Sequence, residues 1–101
     1  MSDHQGVVLA LRALADPLRR GLFEALAEAG ELPVDAHTKG RGVSQSAISQ
    51  HLKVLRDSGL VIERREGRRA YYRALPHGLD PLHSWLRDQA QIMRIKKTKG
   101  A

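Results

Sequence analysis

The segment from Gln45 to Ser58 constrains the fold more than any other part of the chain. It contains no Gly or Pro, Ser44 precedes it as a candidate N-cap and Gly59 follows it as a stop signal, so we expect an α-helix there. On a helical wheel its aliphatic and polar side chains separate completely. One arc holds Ala47, Ile48, His51, Leu52, Val54 and Leu55, and the other holds Gln45, Ser46, Ser49, Gln50, Lys53, Arg56 and Asp57.

This separation indicates what each face of the helix does. Aliphatic side chains on one face pack against the rest of a domain. Gln, Ser, Lys and Arg on the other face are the residue types that bind base edges and phosphates. The helix is therefore a candidate nucleic-acid-binding element.

Two further helices are expected upstream of it. Residues 6–14 carry apolar side chains at helical spacing with no helix breaker between them. Asp16 followed by Pro17 is a helix start signal, because an Asp side chain accepts from free backbone N–H groups and Pro has none to lose in the first turn. The helix that begins at Pro17 is predicted to end at Ala29, since Gly30 is a stop signal.

Two β-prone runs come directly after the central helix. They span Leu60–Arg65 and Arg69–Leu75, and Gly67 between them supplies the positive φ that a hairpin turn needs. Tyr71 and Tyr72 then face opposite sides of a strand, so that one packs inside and the other is free to reach a phosphate. The hairpin carries five guanidinium groups, which suit phosphates or a narrow minor groove: Arg64, Arg65, Arg68, Arg69 and Arg73.

The remaining elements are a short helix around Val34–Lys39 and a last helix from about Asp80 to Ile95. The first is weakly patterned, since two Gly in three residues follow it and few apolar residues flank it. The expected fold class is mainly α with a small β-hairpin, in the order α-α-α-α-β-β-α. All of residues 1–101 are expected to form a single domain.

The charge distribution also favours a nucleic-acid partner. The chain has 17 Lys and Arg against 11 Asp and Glu, a net charge of +6. Residues 1–43 carry a net charge of −1, residues 44–73 carry +4 and residues 74–101 carry +3. The positive charge therefore lies in the central helix, the hairpin and the last helix. A hairpin directly after a polar-faced helix is the order of a winged helix-turn-helix domain.

Specific stretches of the chain resemble the bacterial ArsR-type repressors over about residues 9–87. The resemblance implies a homodimer whose first and last helices form the interface, with the Ser44–Ser58 helix in the major groove and the hairpin as the wing. Two segments depart from the family pattern, at residues 36–41 and after residue 86. The matching stretches are Ala13–Arg20, Val43–Val61 and Arg65–Leu75, and Leu75–Leu86 resembles a branch that includes members without metal sites.

The contact residues follow from this interpretation. Base edges are assigned to Gln45, Ser46, Ser49 and Gln50, since Gln pairs bidentately with adenine. Phosphates are assigned to Lys39, Arg41, Lys53 and Arg56, and the wing contacts to Arg64, Arg68 and Arg69, with Ser44 completing the DNA-binding set. The predicted dimer interface consists of Val7, Val8, Leu11, Leu82, Trp85, Leu86 and Met93.

No metal or other cofactor is predicted. The chain has no Cys, and Pro33 and Asp35 occupy the positions that resemble the family's Cys-bearing site. Asp80 and His83 lie three residues apart with no later His, which differs from the zinc-binding pattern of the last helix. His51, on the apolar arc, is expected to be a hydrogen-bonded core histidine, and His77 is expected to be solvated.

Other function classes find little support. No Ser-His-Asp arrangement, Gly-rich phosphate loop or carboxylate pair indicates an enzyme. No run approaches the roughly 20 apolar residues of a membrane span, and the N-terminus has no leader pattern, so a cytoplasmic protein without a membrane partner is expected. Four aromatic residues are too few for a stacking platform that binds single strands.

The sequence therefore predicts a regulator that binds duplex DNA sequence-specifically, a repressor acting as a homodimer at a promoter. The alternative is a winged-helix module for RNA or protein interaction. The Gln and Ser on the polar face disfavour this alternative, because unspecific phosphate binding would call for more Lys and Arg there. Two alternatives stay open for how repression is controlled. Either an unidentified small-molecule effector binds between the last helices, or repression is constitutive.

Overall fold

The computed structural model describes the backbone of residues 4–38 and 40–100, with side chains up to residue 96. Within these residues the chain forms four α-helices, one short 3₁₀ helix and three β-strands. In chain order they are α1 (His4–Ala15), α2 (Pro17–Ala29), β1 (Glu31–Pro33), the 3₁₀ helix (Val34–His37), α3 (Gln45–Asp57), β2 (Val61–Glu66), β3 (Arg69–Ala74) and α4 (Asp80–Gly100).

Helix α2 begins and ends where its capping residues predict. The Asp16 carboxylate accepts the backbone N–H of Arg19 at 2.9 Å, and Pro17 occupies the first helical position. At the other end Gly30 has a φ of +89° and donates its N–H to the carbonyl of Leu26 at 2.7 Å. Both ends therefore have partners for backbone groups that the helix itself leaves free.

Helix α3 packs one face into the core, as the wheel predicts. Ser44 caps it, since its Oγ accepts the N–H of Ala47 at 3.1 Å. Ile48, Leu52 and Leu55 are fully buried. The prediction is wrong for Val54, which is 39% exposed, because it lies at the edge of the apolar arc that is furthest from Ile48, Leu52 and Leu55.

The β-hairpin is present, and β1 adds a third strand that the sequence did not predict. The strand order is β1-β3-β2, antiparallel throughout, with Glu31 opposite Arg73 and Glu66 opposite Arg69. Gly67 has a φ of +61° and is the first of two turn residues, as a type II′ turn requires. The two tyrosines alternate as predicted: Tyr72 is 1% exposed in the core, and Tyr71 lies on the outer face of the sheet.

The helix before α3 is shorter than predicted and is of a different type. A 3₁₀ helix over Val34–His37 replaces the α-helix predicted for Val34–Lys39, and Lys39 lies outside the described residues. The Thr38 hydroxyl donates to the carbonyl of Asp35 at 2.8 Å, which closes the turn. Gly40 and Gly42 both have positive φ, so the backbone there cannot continue a helix.

Helix α4 packs mainly against α1 and continues to Gly100, five residues beyond the predicted end at about Ile95. Its 21 residues span about 30 Å, and the molecule measures 58 × 26 × 21 Å along its principal axes. No helix of the described residues combines the length and apolarity needed to cross a membrane. The core that α2, α3 and the sheet enclose contains Ala10, Ala13, Leu22, Phe23, Leu26, Val34, Ile48, Leu52, Leu55, Leu60, Val61 and Tyr72.

The connection from β3 to α4 touches the end of α3 through the main chain. Leu75 donates its N–H to the carbonyl of Leu60 at 3.0 Å, and Gly78 donates to the carbonyl of Leu75 at 3.0 Å. A Cβ at position 78 would lie 2.9 Å from the carbonyl oxygen of Gly59, closer than such atoms approach. Position 78 therefore requires glycine for space.

Candidate nucleic-acid interface

The polar face of α3 is open to solvent along its length. Gln45, Ser46, Gln50 and Lys53 are exposed, and Ser49 is half-buried. At 100° per residue these five side chains lie within about 140° of the helix circumference. The four base-edge candidates therefore share one accessible surface with a lysine beside them.

A polar cleft joins this face to the hairpin. Its volume is about 240 Å³, and it lies between the start of α3, the 3₁₀ helix and the tip of the hairpin. Side chains from three separate parts of the sequence meet there, which brings hydrogen-bonding groups of α3 next to guanidinium groups. The lining residues are Pro33, Val34, Asp35, Gln45, Ser49, Arg65, Arg68, Arg69 and Ala70.

Arg65 belongs to this cleft but was missing from the predicted contact set. Its side chain leaves β2 on the same side as Val61, which is buried against the helices. The period-two alternation of the strand was the available signal, because it distinguishes Arg65 from Arg64. Arg65 also lies 3.5 Å from the carboxylate of Glu63.

Arg68 occupies the second position of the hairpin turn and is exposed. Among the described residues its side chain makes no hydrogen bond or ion pair. Arg68 lines the cleft beside Gln45 and Ser49. Its guanidinium is therefore available to an anion without first breaking a contact within the chain.

Arg64 lies on the opposite, outer face of the sheet and is already paired. Its Nη2 donates to Glu31 at 2.7 Å and its Nη1 donates to Glu66 at 3.1 Å. The hydrogen bonds that Arg64 donates to Glu31 and Glu66 raise the pKa of its guanidinium. Arg64 also stacks over the ring of Tyr71, 4.6 Å from its centroid. A DNA contact by Arg64 therefore competes with two carboxylates.

Arg69 and Arg56 are likewise engaged within the chain. Arg69 Nη2 donates to both oxygens of Asp35 at 3.0 Å, and this bond raises the pKa of the guanidinium. Arg56 Nη1 donates to Glu63 at 2.9 Å, and Arg56 Nη2 lies 3.0 Å from Asp57. Arg56, Arg64 and Arg69, three of the predicted DNA contacts, are thus paired with carboxylates, and the sequence alone did not predict these partners.

Arg41, in the segment between the 3₁₀ helix and α3, is another of the predicted phosphate contacts. It is half-buried, and its Nη1 lies 3.5 Å from the place where a Cβ on Gly21 would be, so its guanidinium packs over α2. Its charge and the burial of the imidazole together lower the pKa of His37, burial being the larger cause. The Arg41 side chain therefore packs partly against α2 and is only partly exposed to solvent.

The candidate dimer residues differ in how much surface they offer. Leu11, Leu86 and Met93 are exposed, Met93 at 64%, while Val8, Leu82 and Trp85 are half-buried. Val7 is only 5% exposed because its side of α1, with Ala10 and Ala13, packs within the same chain. Val7 therefore has little surface to offer to a second protomer, and the prediction that it belongs to the dimer interface is corrected.

Among the described residues no group of three His, Cys, Asp or Glu side chains could hold a metal ion. His77 is exposed and pairs with Asp80 at 3.1 Å. His51 is half-buried rather than in the core, and its Nδ1 lies 3.2 Å from Arg19 Nη1. His37 is fully buried in the 3₁₀ helix.

The chain is similar in sequence to known proteins. Residues 14–64 match a family model described as a helix-turn-helix domain. The chain is 42% identical over 84 residues to the HTH-type transcriptional regulator Rv2034 of Mycobacterium tuberculosis, covering 83% of this chain and 78% of that protein. It is 42% identical over 66 residues to the arsenical resistance operon repressor of Escherichia coli, covering 65% of this chain and 56% of that protein.

A solved structure also superposes on this one. It is the homodimeric winged helix-turn-helix DNA-binding domain Mb0332 from Mycobacterium bovis, described as a possible ArsR-family transcriptional regulator. The TM-score is 0.66 at 31% sequence identity, covering 90% of this chain and 88% of that one. The order of helices and hairpin is therefore that of a winged helix-turn-helix, as the sequence predicted.

Proposed function

The chain belongs to the ArsR family of helix-turn-helix transcriptional regulators, and we propose that it is a repressor that binds promoter DNA as a homodimer. The observation that carries this proposal is the cleft in which Gln45 and Ser49 of α3 meet Arg65 and Arg68 of the hairpin. Base-reading and phosphate-binding groups are thereby combined on one surface.

In this proposal α3 is the recognition helix and lies in the major groove. Gln45, Ser46, Ser49 and Gln50 face the base edges, where Gln pairs bidentately with adenine. A good bidentate pair discriminates against the wrong base by about 1–3 kcal/mol. The hairpin of β2 and β3 is the wing and follows the adjacent phosphates or minor groove.

The phosphate contacts divide into free and paired cations. Lys53 and Arg68 carry no ion pair among the described residues, and we assign them the main phosphate contacts. Arg65 lines the cleft with a long 3.5 Å pairing to Glu63. Arg56, Arg64 and Arg69 contribute only where a phosphate displaces their carboxylate partners.

We propose that a second copy of the chain packs on α1 and α4. Leu11, Leu86 and Met93 are exposed apolar side chains on these two helices, and water is an unfavourable environment for them. Burial of this surface between two copies makes residues 1–101 one unit of a two-fold dimer with two recognition helices. DNA half-sites one helical turn apart fit such a dimer.

Repression follows from occupancy, since a dimer bound across a promoter blocks access to it. Such a protein acts where the DNA lies, and we place it in the cytoplasm. The relatives are transcriptional regulators, and we assign the chain no enzymatic activity. An effector that releases the DNA remains unassigned.

Fluorescence anisotropy tests the proposal directly. A labelled duplex from the gene's own upstream region is titrated near 150 mM salt beside a scrambled duplex of the same length. We expect the upstream duplex to bind about a thousandfold more tightly or better. Equal affinities that fall steeply with salt would contradict operator recognition, and a preference for structured RNA would favour the RNA-binding alternative.

Sedimentation analysis tests the dimer. We expect twice the 11.2 kDa of one chain for the wild type and a single chain for Leu86→Glu, which places a charge in the proposed interface. Ile62→Glu is the matched control, because Ile62 is also exposed but lies on β2. Dissociation by both variants, or by neither, would contradict the assigned interface.

A further inference from the structure

We propose that Arg19 is a positioning residue that fixes the recognition helix α3 to the interface helix α1, an inference that rests on the proposed function. Arg19 lies in the first turn of α2, between the two helices in sequence and in space. Its one side chain makes hydrogen bonds to both of them.

The first set of bonds caps the C-terminus of α1. Arg19 Nε donates to the carbonyl of Ala13 at 2.7 Å, and Nη2 donates to the carbonyl of Arg12 at 3.1 Å. The last carbonyls of a helix have no partner within the helix, and a cation there also interacts favourably with the helix dipole. Arg19 therefore holds the end of α1 by two bonds.

The second contact reaches the middle of α3. Arg19 Nη1 lies 3.2 Å from Nδ1 of His51. A guanidinium has only donors, so in this hydrogen bond Nδ1 of His51 is the acceptor and the ring proton is on Nε2. His51 directly follows Gln50, one of the residues assigned to base edges.

The backbone of Arg19 is itself held in place. Its N–H donates to the Asp16 carboxylate at 2.9 Å, and this bond is the main cause that lowers the pKa of Asp16. The planar fork of Arg leaves little freedom once its donors are engaged. Arg19 thus connects three helices: its backbone lies at the start of α2, and its guanidinium contacts the end of α1 and the centre of α3.

This junction matters for specific binding because α1 belongs to the proposed dimer interface. Two recognition helices read two half-sites only if each has a fixed orientation relative to the dimer axis. Phosphate contacts depend less on that orientation, since they are electrostatic and independent of sequence. Loss of Arg19 should therefore reduce affinity for the operator more than affinity for unrelated DNA.

The neighbouring residue provides a matched control. Arg20 Nη1 donates to the carbonyl of Leu14 at 3.0 Å, so it also caps α1, but among the described residues its side chain makes no hydrogen bond or ion pair with α3. We expect Arg19→Gln to lose about tenfold in affinity for the operator duplex, whereas Arg20→Gln, which removes the same charge, loses about twofold or less. Equal losses in the two variants would overturn the proposal.

His51 variants keep the test valid if Arg19→Gln unfolds. In His51→Gln the amide oxygen still accepts from Arg19, so operator affinity should stay within about twofold of the wild type. In His51→Leu the acceptor is gone, and the loss should match that of Arg19→Gln, with no further loss in the double variant. Wild-type affinity in His51→Leu would overturn the proposal.

A measurement without DNA completes the test. Two-dimensional NMR of the imidazole nitrogens should show His51 protonated at Nε2 and unprotonated at Nδ1, with the Nδ1 tautomer appearing in Arg19→Gln but not in Arg20→Gln. A proton on Nδ1 in the wild type would overturn the proposal. Failure of the proposed function has a different signature, because the wild type itself would then bind operator and scrambled duplexes alike.

Discussion

Arg69 Nη2 lies 3.0 Å from both carboxylate oxygens of Asp35, which joins the wing to the 3₁₀ helix. Both residues line the cleft that we assign to DNA. The carboxylate therefore occupies an anion position beside a cation that a phosphate would otherwise bind. In the proposed DNA complex Asp35 would oppose binding in two ways, by neutralising Arg69 and by repelling phosphates directly.

Asp35→Asn removes the carboxylate charge beside Arg69 and should therefore strengthen DNA binding. We expect higher affinity for both operator and scrambled duplexes, with a slope of log K against log salt that is steeper by up to about one, since one more cation faces phosphates. Anisotropy titrations between 50 and 200 mM salt measure both quantities. Glu24→Gln, the control, removes the same charge from the exposed face of α2 and should change neither.

Arg68 and Arg64 should differ although both belong to the wing. Arg68→Ala removes a free guanidinium and should weaken all duplexes alike, lowering the salt slope by roughly one. Arg64→Ala removes a cation already bound to Glu31 and Glu66, so its effect on the slope should be smaller. The same titrations distinguish the variants, and a larger effect of Arg64→Ala would contradict the pairing as a determinant of DNA affinity.

Gln50 and Lys53 should separate base reading from phosphate binding. Gln50→Ala should relax the preference for the operator by about 1–3 kcal/mol while scrambled DNA binds as before. Lys53→Ala should weaken operator and scrambled duplexes equally and lower the salt slope by roughly one. Affinities measured against a panel of single-base operator variants would show the difference, and identical profiles would refute the assigned roles.

His37 should make stability depend on pH. It is 2% exposed, and its Nε2 has no hydrogen-bond partner among the described residues. Burial, helped by the charge of Arg41, lowers the pKa of His37 in the folded chain. The unfolded chain then binds protons more readily, so the free energy of unfolding should fall as pH drops below the ordinary histidine pKa of about 6.5.

Urea unfolding between pH 7.5 and 5 measures this dependence. The loss should level off only below the lowered pKa of the folded chain. His37→Phe removes the titrating group and should flatten this part of the profile, whereas His83→Gln, at an exposed position, should keep it. An unchanged slope in His37→Phe would show that other groups cause the dependence.

Local signals in the sequence were sufficient for both ends of α2 and for the start of α3, but not for the 3₁₀ helix or for the end of α4. Asp16 and Gly30 predict both ends of α2 because caps act within one turn. Strand β1 was missed because three residues that include Pro33 show no alternation, and only pairing with β3 makes them a strand. Gly40 and Gly42 indicated a break before α3 but not that the helix before them is of the 3₁₀ type.

For the site, the wheel identified the exposed face of α3, but it could not identify the partners of the arginines. Arg64 and Glu31, Arg69 and Asp35, and Arg19 and His51 are each separated by more than 30 residues in sequence. Only the register of β1 with β3 and the packing of α2 against α3 bring them together. Long-range contacts of this kind leave no periodic trace in a single sequence.

Gly78 limits how this protein can diverge. Because the main chain before α4 touches the carbonyl of Gly59 with no side chain between them, any larger residue must displace the turn that ends α3. Side chains adapt to a changed neighbour by choosing another rotamer, whereas two backbones in contact have no such adjustment. Substitutions that shift α4 relative to α3 are therefore expected elsewhere in the chain rather than at position 78.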